Sequence, residues 1–301
     1  MALHIITSAE PILVNSIVMV IYGQPGTGKT SLALTSESPL LLDFDHGAHR
    51  AARRVDTVQI KNWFEVTAIT DADLAAYKTV VIDTAGRALD FLTADIIQRE
   101  PKNGPGGNLS QKGWGALKNQ FSSWLKHLNT LGKDIIMIAH MDEQQGGDMP
   151  IERLDVQGGS KGEIYKSSDV MGRIKIIDGK NTLLFSPSET AYGKNPAQLP
   201  PLIIPHVDRP EYQGFLGQVI TQTKDKLNEL SDEQREMQRV IEFWKTRVDT
   251  ASNLEDINLL VKDLQEGDLP KTVKLLIHHR AKNLGLVPDK KNGSYVAKEV
   301  A

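Results

Sequence analysis

The sequence predicts an α/β protein in which a mainly parallel sheet lies between helices, followed by a small C-terminal helical module. Three observations support this fold class. A glycine-rich loop stands between a strand-like run and a helical stretch near the start of the chain. Strand-like and helical stretches then alternate. From about Ser231 the chain is helical again. We expect a core at 1–215, a linker at 216–230 and the C-terminal module at 231–301.

The elements of the core follow from residue type and spacing. Apolar, mostly β-branched runs predict buried strands at 16–22, 39–44, 79–83 and 134–139. Helical composition or spacing predicts helices at 30–36, 87–99 and 113–131. The last of these places five large side chains on one face, namely Trp114, Leu117, Phe121, Leu125 and Leu128. Such a stripe indicates core packing rather than a platform for stacked bases.

The second half of the chain changes in character. Short β-type runs at 170–177 and 181–185 flank a hairpin-like turn at 178–180. Helices are predicted at 232–248, 254–266 and 271–284, and a lysine-rich tail follows them. Two glycine-rich segments, 100–112 and 144–159, are predicted to be long loops at the ligand-binding edge of the sheet.

Composition limits the function classes. The 301 residues contain no cysteine, which excludes disulfides and zinc–thiolate sites and fits a cytoplasmic protein. The formal net charge of −3 gives no global attraction to nucleic acid or membranes, so a nucleic-acid surface has to be local. The start of the chain lacks a signal peptide, and no apolar run is long enough to span a bilayer.

The glycine-rich loop matches the phosphate-binding motif G-x-x-x-x-G-K-[ST]. Glycines let backbone N–H groups face the phosphates, Lys29 reaches the β and γ oxygens, and the Thr30 hydroxyl can ligate Mg²⁺. The sequence therefore predicts a nucleoside triphosphate and Mg²⁺. The expected binding residues are Gly23, Gln24, Pro25, Gly26, Thr27, Gly28, Lys29, Thr30 and Ser31.

Polar residues at three predicted strand ends complete the expected site. Asp83 ends an apolar strand, where a carboxylate would orient Mg²⁺ beside Thr30. Asp43 and Asp45 both follow the adjacent strand. We favour Asp45 as the base that activates water and Asp43 as a structural residue. His140 ends the fourth strand, where it either senses the γ-phosphate or is a loop histidine bonded to backbone.

A second motif points elsewhere. Residues 83–87 read Asp-Thr-Ala-Gly-Arg, a signature of signal-recognition-type GTPases. Those enzymes also need a guanine-reading N-K-x-D or T-K-x-D after a later strand, and the sequence contains none. We therefore interpret the motif as coincidental and expect ATP.

In order and spacing, these segments resemble the RecA family. Residues 43–48 resemble the strand end that carries the family's catalytic carboxylate, which is usually Glu and here is Asp45. Residues 135–140 resemble the strand that ends in the sensor residue, usually Gln and here His140. Residues 157–168 resemble the stretch that closes the family's second DNA-binding loop. The compact core with a short C-terminal module is similar to phage-encoded minimal RecA-like ATPases of the Sak type, which act in single-strand annealing.

The resemblance implies a RecA-like P-loop NTPase core that binds single-stranded DNA and assembles into a ring or filament. It implies that Lys194 reaches a neighbouring protomer's nucleotide, that 100–112 and 144–159 are the two DNA loops, and that a bacterial host cell is the setting. The cations expected at DNA are Arg99, Lys102, Lys112, Arg153, Lys161 and Lys166. The C-terminal module could bind a single-strand-binding protein, extend the DNA path or cap the oligomer.

The leading hypothesis is therefore an ATP-dependent recombinase or annealing protein with DNA-stimulated ATPase activity. Two alternatives stay open: a hexameric helicase or helicase loader, which shares the core, and a nucleotide switch that acts on a protein partner. A small-molecule kinase is disfavoured because the sequence has no arginine-rich lid segment.

Overall fold

A computed structural model describes residues 12–146, 149–156, 160–265, 271–289 and 292–297. The strands in this part of the chain are β1 (Val18–Gly23), β2 (Pro39–Asp43), β3 (Thr57–Gln59), β4 (Thr79–Asp83), β5 (Asp134–Gly146), β6 (Met149–Leu154), β7 (Val170–Ile177), β8 (Lys180–Leu184), β9 (Leu202–Ile203), β10 (Leu286–Asp289) and β11 (Ser294–Ala297). The helices are α1 (Lys29–Ala33), α2 (Trp63–Ala68), α3 (Ala85–Arg99), α4 (Gln111–Thr130), α5 (Ser160–Ser167), α6 (Phe215–Thr250), α7 (Leu254–Gln265) and α8 (Lys271–Asn283).

The core is a nine-stranded, mainly parallel sheet. Its main strand order is β3-β2-β4-β5-β1-β7-β8-β9. The first six strands in this order run parallel, and β8 and β9 are antiparallel to their neighbours. Strand β6 lies outside this order and pairs antiparallel with the second half of β5. The α/β fold class predicted from the sequence is confirmed.

Both faces of the sheet are buried beneath helices. In β1, Val18, Val20 and Tyr22 belong to the apolar cluster that contains the buried residues of α3 and α4. The alternate residues Met19 and Ile21 belong to a second cluster, with α1 and the first turns of α6. Because successive strand side chains point to opposite faces, a strand that is apolar throughout requires cover on both sides.

The chain forms two compact units. The core unit comprises Val14–Leu227, and the second consists of Ile12, Leu13 and the described residues from Asn228 onward. The second unit has an apolar cluster of its own, with Trp244 and Val248 of α6, Ile257 of α7 and Ile277 of α8 among its members. Strands β10 and β11 form a separate antiparallel hairpin within it.

The structure corrects three expectations. The predicted linker at 216–230 is helical, because α6 begins at Phe215 rather than near Ser231. The apolar residues Leu216, Val219 and Ile220 pack on the core sheet, and this burial starts the helix early. The lysine-rich tail contains the ordered hairpin β10–β11, although residues 290–291 and 298–301 lie outside the described part.

The third correction concerns the predicted loop at 144–159. Most of its described residues belong to the β5–β6 hairpin, in which Met141 pairs with Leu154 and Gly146 with Met149. Residues 147–148 and 157–159 lie outside the description. The segment was misassigned because the second half of β5 is polar and β6 is short, so neither shows an extended apolar alternation of the kind expected for a half-buried strand. In the other predicted loop, 100–112, two short 3₁₀ turns precede α4.

Candidate nucleotide-binding and hydrolysis site

The phosphate-binding motif forms a tight loop between β1 and α1. Strand β1 ends at Gly23, and α1 begins at Lys29. Gly26 and Gly28 have φ angles of +79° and +78°, in the left-handed region where a residue with Cβ is strained. The motif therefore has glycine at the two positions where the backbone demands it.

Lys29 lies inside this loop. Its side chain is buried, and Nζ donates hydrogen bonds to the carbonyl oxygens of Gly23 at 3.0 Å and Gln24 at 2.8 Å. Burial lowers the pKa of Lys29, and the negative charge of Asp83 partly opposes this shift. A cation removed from water in this way attracts a phosphate group more strongly than one on the surface.

Thr30 and Asp83, which the sequence predicts to be magnesium ligands, are in direct contact. The Thr30 hydroxyl donates to Asp83 Oδ2 at 2.7 Å. Asp83 is buried at the end of β4, and this burial raises its pKa although the Thr30 hydrogen bond opposes the shift. The pair fits Mg²⁺, which prefers oxygen ligands, binds through few carboxylates and keeps several waters. A cation here would offset the cost of burying a carboxylate.

Asp45 lies beside this pair and contacts two other side chains. Arg87 Nε is 3.3 Å from Asp45 Oδ1, and His140 Nε2 is 3.7 Å from Oδ2. The neighbouring His140 imidazole holds the pKa of Asp45 below its usual value, and the Arg87 charge acts in the same direction. Asp45 is therefore an ionised acceptor at neutral pH, which is the form that a water-activating base requires.

Asp43 has a different environment. It is completely buried at the end of β2. Its two carboxylate oxygens accept hydrogen bonds from the backbone N–H groups of Gly47 and Ala48, each at 3.0 Å. Both oxygens are therefore committed to the backbone that follows Asp45, which is consistent with the structural role favoured for Asp43.

These contacts predict separate effects for the two carboxylates. Asp43→Asn replaces one acceptor with a donor that faces a backbone N–H, which should destabilise the core by about 2 kcal/mol. We expect the thermal unfolding midpoint to fall by about 5 °C, with ATP turnover per folded molecule retained. Differential scanning calorimetry and an ATPase assay test this, with Asp45→Asn as the matched control. Equal stability of the two variants would contradict the structural assignment of Asp43.

A cavity of about 420 Å³ brings the predicted groups together. Its lining includes Lys29 and Thr30 from the loop, Asp45 and Asp83 from two strand ends, and His140. A second cavity of about 570 Å³ adjoins the other side of the loop and shares Gly28 and Ser31 with the first. The Ser31 hydroxyl accepts a hydrogen bond from the backbone N–H of Ala52 at 3.0 Å.

Sequence reasoning missed two arginines at this site. Arg50 lines the 420 Å³ cavity from the 3₁₀ turn after Asp45, and no motif marked it. Arg87 ends the Asp-Thr-Ala-Gly-Arg stretch that we interpreted as coincidental. It contacts both Asp45 and, through Nη1 at 3.3 Å, Asp90. Arg87 could have been predicted from its position just after Asp83, in the first turn of the following helix and next to a strand end that carries a carboxylate.

The Asp45–Arg87 contact has a measurable consequence. Arg87→Gln should lower kcat for ATP roughly tenfold or more, because Asp45 loses one of the two side chains that orient it. KM should stay within about twofold, since Arg87 is not among the residues that hold the phosphates. Asp45 should stay ionised between pH 6 and pH 8, so protonation of this carboxylate should cause no loss of kcat in that range, because His140 beside it still keeps its pKa low.

Steady-state kinetics on Arg87→Gln and Asp90→Asn test this expectation. The second variant removes only the other carboxylate that Arg87 contacts, so it should retain wild-type turnover. If Arg87→Gln had the same kcat as the wild type, the Asp45–Arg87 contact would be a surface ion pair with little effect on catalysis.

The structure also locates Lys194. Its Nζ donates to the backbone oxygen of Ser168 at 2.6 Å and lies 4.7 Å from the centre of the Tyr165 ring. Burial lowers the pKa of Lys194. Within this chain it lies outside the set that lines the 420 Å³ cavity, and its expected role toward a neighbouring protomer stays a prediction.

Most of the cations predicted to contact DNA have partners within the chain. Arg99 contacts Asp95 at 2.5 Å and Gln120 at 2.6 Å. Lys112 pairs with Glu100 at 3.0 Å, and Lys166 lies 3.6 Å from Glu163. These groups would exchange existing contacts for phosphates.

The remaining three differ from one another. Arg153 donates to the backbone oxygens of Glu152 and Thr190, and its guanidinium lies 4.6 Å from the centre of the Tyr192 ring. Lys102 is exposed and has no ion pair with any described residue. Lys161 lies in α5, and its side chain is outside the described part of the chain.

The β5–β6 hairpin is connected to the phosphate loop. Strand β5 carries His140 at the cavity and continues to Gly146. Three residues after His140, Glu143 accepts a hydrogen bond from the side chain of Gln24 at 2.6 Å. Gln24 belongs to the phosphate-binding motif, so the loop and the hairpin are in direct contact.

Comparison with known proteins identifies this architecture. Residues 15–197 match the family described as AAA domain, which is more than half of the chain. The matched segment contains the phosphate loop, Asp45, Asp83 and His140. A search of curated proteins found no match.

Among the described helices, none combines the length and the apolar character that a membrane crossing requires.

Proposed function

This chain belongs to the AAA domain family, which indicates an ATPase, and we propose that its ATPase activity drives single-stranded DNA binding in recombination or annealing. The observation that carries the catalytic part is the convergence of Lys29, Thr30, Asp83, Asp45 and His140 on one cavity. The DNA part rests on the resemblance to RecA-like annealing ATPases of the Sak type and on the contact between phosphate loop and hairpin.

The two cavities suggest how ATP would bind. The triphosphate fits the 420 Å³ cavity, where the loop backbone and Lys29 meet the β- and γ-phosphates. Thr30 and Asp83 would hold Mg²⁺, which neutralises phosphate charge as it develops in the reaction. The nucleoside fits the adjoining 570 Å³ cavity, which has the polar Asn181 and the apolar Ile203 in its lining.

Hydrolysis follows from the position of Asp45. Its carboxylate takes a proton from the attacking water as the water oxygen bonds to the γ-phosphorus. The bond from the γ-phosphorus to the bridging oxygen breaks, and ADP and phosphate leave. His140 Nε2 lies 3.7 Å from the Asp45 carboxylate and His140 lines the same cavity, so it is placed to orient this carboxylate and to respond to the γ-phosphate.

DNA binding would respond to the nucleotide through the hairpin. His140 begins the part of β5 that extends into it, and Gln24 contacts Glu143 from the phosphate loop. A nucleotide bound in the phosphate loop would therefore influence the hairpin at two residues, His140 and Glu143. In the proposal, protomers assemble around the strand in a ring or filament, and Lys194 of each reaches the nucleotide of its neighbour.

The direct test is ATP hydrolysis with and without single-stranded DNA. We expect several-fold stimulation at low salt. Raising salt from 50 to 200 mM should weaken strand binding about tenfold to twentyfold if each protomer neutralises about three phosphates. Lys29→Ala should be inactive in both conditions. Hydrolysis that is equal with and without DNA at low salt would contradict the proposal.

A nucleotide switch acting on a protein is the second candidate. The observation that favours it is the pairing of Arg99, Lys112 and Lys166 with acidic or polar side chains of this chain. This candidate predicts that ATP changes the affinity for a protein partner while single strands have no effect. The same hydrolysis assay therefore separates the two.

A further inference from the structure

Helix α8 in the C-terminal unit has one apolar face and one cationic face. Val273, Ile277 and Ala281 are buried in the apolar cluster that α6 and α7 share with it. The exposed part of the helix surface carries Lys271, Lys274, His278 and Lys282. We call these four residues the α8 basic face. Their spacing of three, four and four residues keeps them on one side of the helix.

The charges of this face are not compensated within the described part of the chain. Helix α8 contains no acidic residue. None of the three lysines lies within ion-pair distance of a described carboxylate. The arginines of the same unit differ, because Arg247 pairs with Asp263 at 2.5 Å and Arg239 with Glu236 at 3.5 Å.

A fixed aromatic ring lies against His278 of this face. The Tyr295 hydroxyl and His278 Nδ1 are 2.9 Å apart, and the two ring centres are 6.2 Å apart. Asn258 of α7 anchors the backbone of Tyr295: its Oδ1 accepts from the Tyr295 N–H at 2.7 Å, and its Nδ2 donates to the Tyr295 carbonyl at 3.1 Å. The hairpin strand β11 thus holds the ring in place.

This combination fits a nucleic-acid strand better than an acidic peptide. The lysines extend over about 16 Å of helix, which matches a row of phosphates. The rings of His278 and Tyr295 provide planar surfaces for unstacked bases. An acidic peptide would gain from the charges alone.

We propose that the α8 basic face binds the phosphate backbone of single-stranded DNA. The proposal rests on the proposed function for the identity of the strand, and it adds a contact in the C-terminal unit to those expected at the segments 100–112 and 144–159. Binding at this face does not require ATP, since all of its residues lie outside the nucleotide site.

The test measures binding of a fluorescein-labelled oligothymidine to the full-length protein by anisotropy, without nucleotide, from 50 to 300 mM KCl. The triple variant Lys271→Ala/Lys274→Ala/Lys282→Ala should bind at least about tenfold more weakly at low salt. Its slope of log K against log salt should be less steep by about 2, at about 0.7 for each lost phosphate contact.

The matched control removes three cations from other helices of the same unit, in Arg239→Ala/Lys245→Ala/Lys262→Ala. It should keep the wild-type slope within about 0.5, and both variants should keep wild-type ATPase activity without DNA. Circular dichroism confirms that each is folded. A triple variant with unchanged slope, or a control with the same loss, would overturn the proposal.

The design separates this inference from the proposed function. If DNA stimulates ATP hydrolysis but the salt slope of the α8 variant is unchanged, the proposed function is retained and DNA binding at the α8 basic face is rejected. A less steep salt dependence in the α8 variant, with no stimulation of wild-type ATP hydrolysis by DNA, would support DNA binding at the α8 basic face. It would also reject the coupling of DNA binding to ATP hydrolysis. A labelled polyglutamate peptide that binds the wild type more tightly than oligothymidine does at equal salt would overturn the choice of partner.

Discussion

Lys29→Ala is expected to weaken ATP binding by more than about a hundredfold, which corresponds to about 2.7 kcal/mol. Two effects combine. The variant loses a charge-assisted contact to the phosphates, of the kind that is stronger than a neutral hydrogen bond. It also leaves the carbonyl oxygens of Gly23 and Gln24 without the donor that holds the loop in shape. Isothermal titration calorimetry with a non-hydrolysable ATP analogue measures the loss.

Lys133→Ala is the matched control for this experiment. Lys133 is a half-buried lysine of the core, and its Nζ likewise donates to a backbone oxygen, that of Tyr77 at 2.7 Å. It is not among the residues that line the two cavities beside the phosphate loop. Its removal should leave ATP affinity within about twofold. If Lys29→Ala bound the analogue as well as Lys133→Ala does, the phosphate-loop assignment would be wrong.

Asp45→Asn is expected to lower kcat by roughly a hundredfold to ten-thousandfold, the usual contribution of a positioned base. The amide keeps the size of the carboxylate but cannot accept the proton of the attacking water. ATP affinity should change little, because Lys29, Thr30 and Asp83 remain. Single-turnover hydrolysis and analogue binding, measured on the same preparation, separate the two effects.

Asp45→Glu sharpens this experiment. Glutamate is the residue that the resemblance leads us to expect here, and it reaches one methylene further than aspartate. It keeps a carboxylate within range of Arg87 and His140, so we expect at least partial activity where Asp45→Asn has almost none. Full turnover in Asp45→Asn would exclude Asp45 as the base and direct attention to other polar groups of the cavity.

The core of the fold was predictable because its signals are local. The predicted strand at 79–83 coincides with β4, and that at 170–177 coincides with β7. All of β4 and the first five residues of β7 are buried, since both faces of the sheet are covered there. Strand β3 and helix α2 were missed because each is short and gains its stability from packing, as Trp63 does against Trp124. A three-residue strand has no periodicity to detect.

The site was predictable to the extent that its residues occupy strand ends. Lys29, Thr30, Asp45, Asp83 and His140 were named from the sequence, and the structure brings them to one cavity. Their catalytic and binding roles stay predictions. Arg87 was missed because the helix predicted from residue 87 begins at Ala85, which places Arg87 inside its first turn. Arg50 was missed because its position depends on a 3₁₀ turn that no spacing in the sequence reveals.

The continuity of β5 has a mechanical consequence. The strand runs from His140 at the cavity to Gly146 without a break, a length of about 20 Å. A small change of orientation near the nucleotide is therefore enlarged at the far end of the strand. A rotation of about 5° at His140 would move the far end by nearly 2 Å, at a rise of about 3.3 Å for each residue. A spectroscopic label near residue 145 would thus report events at the γ-phosphate from a distance.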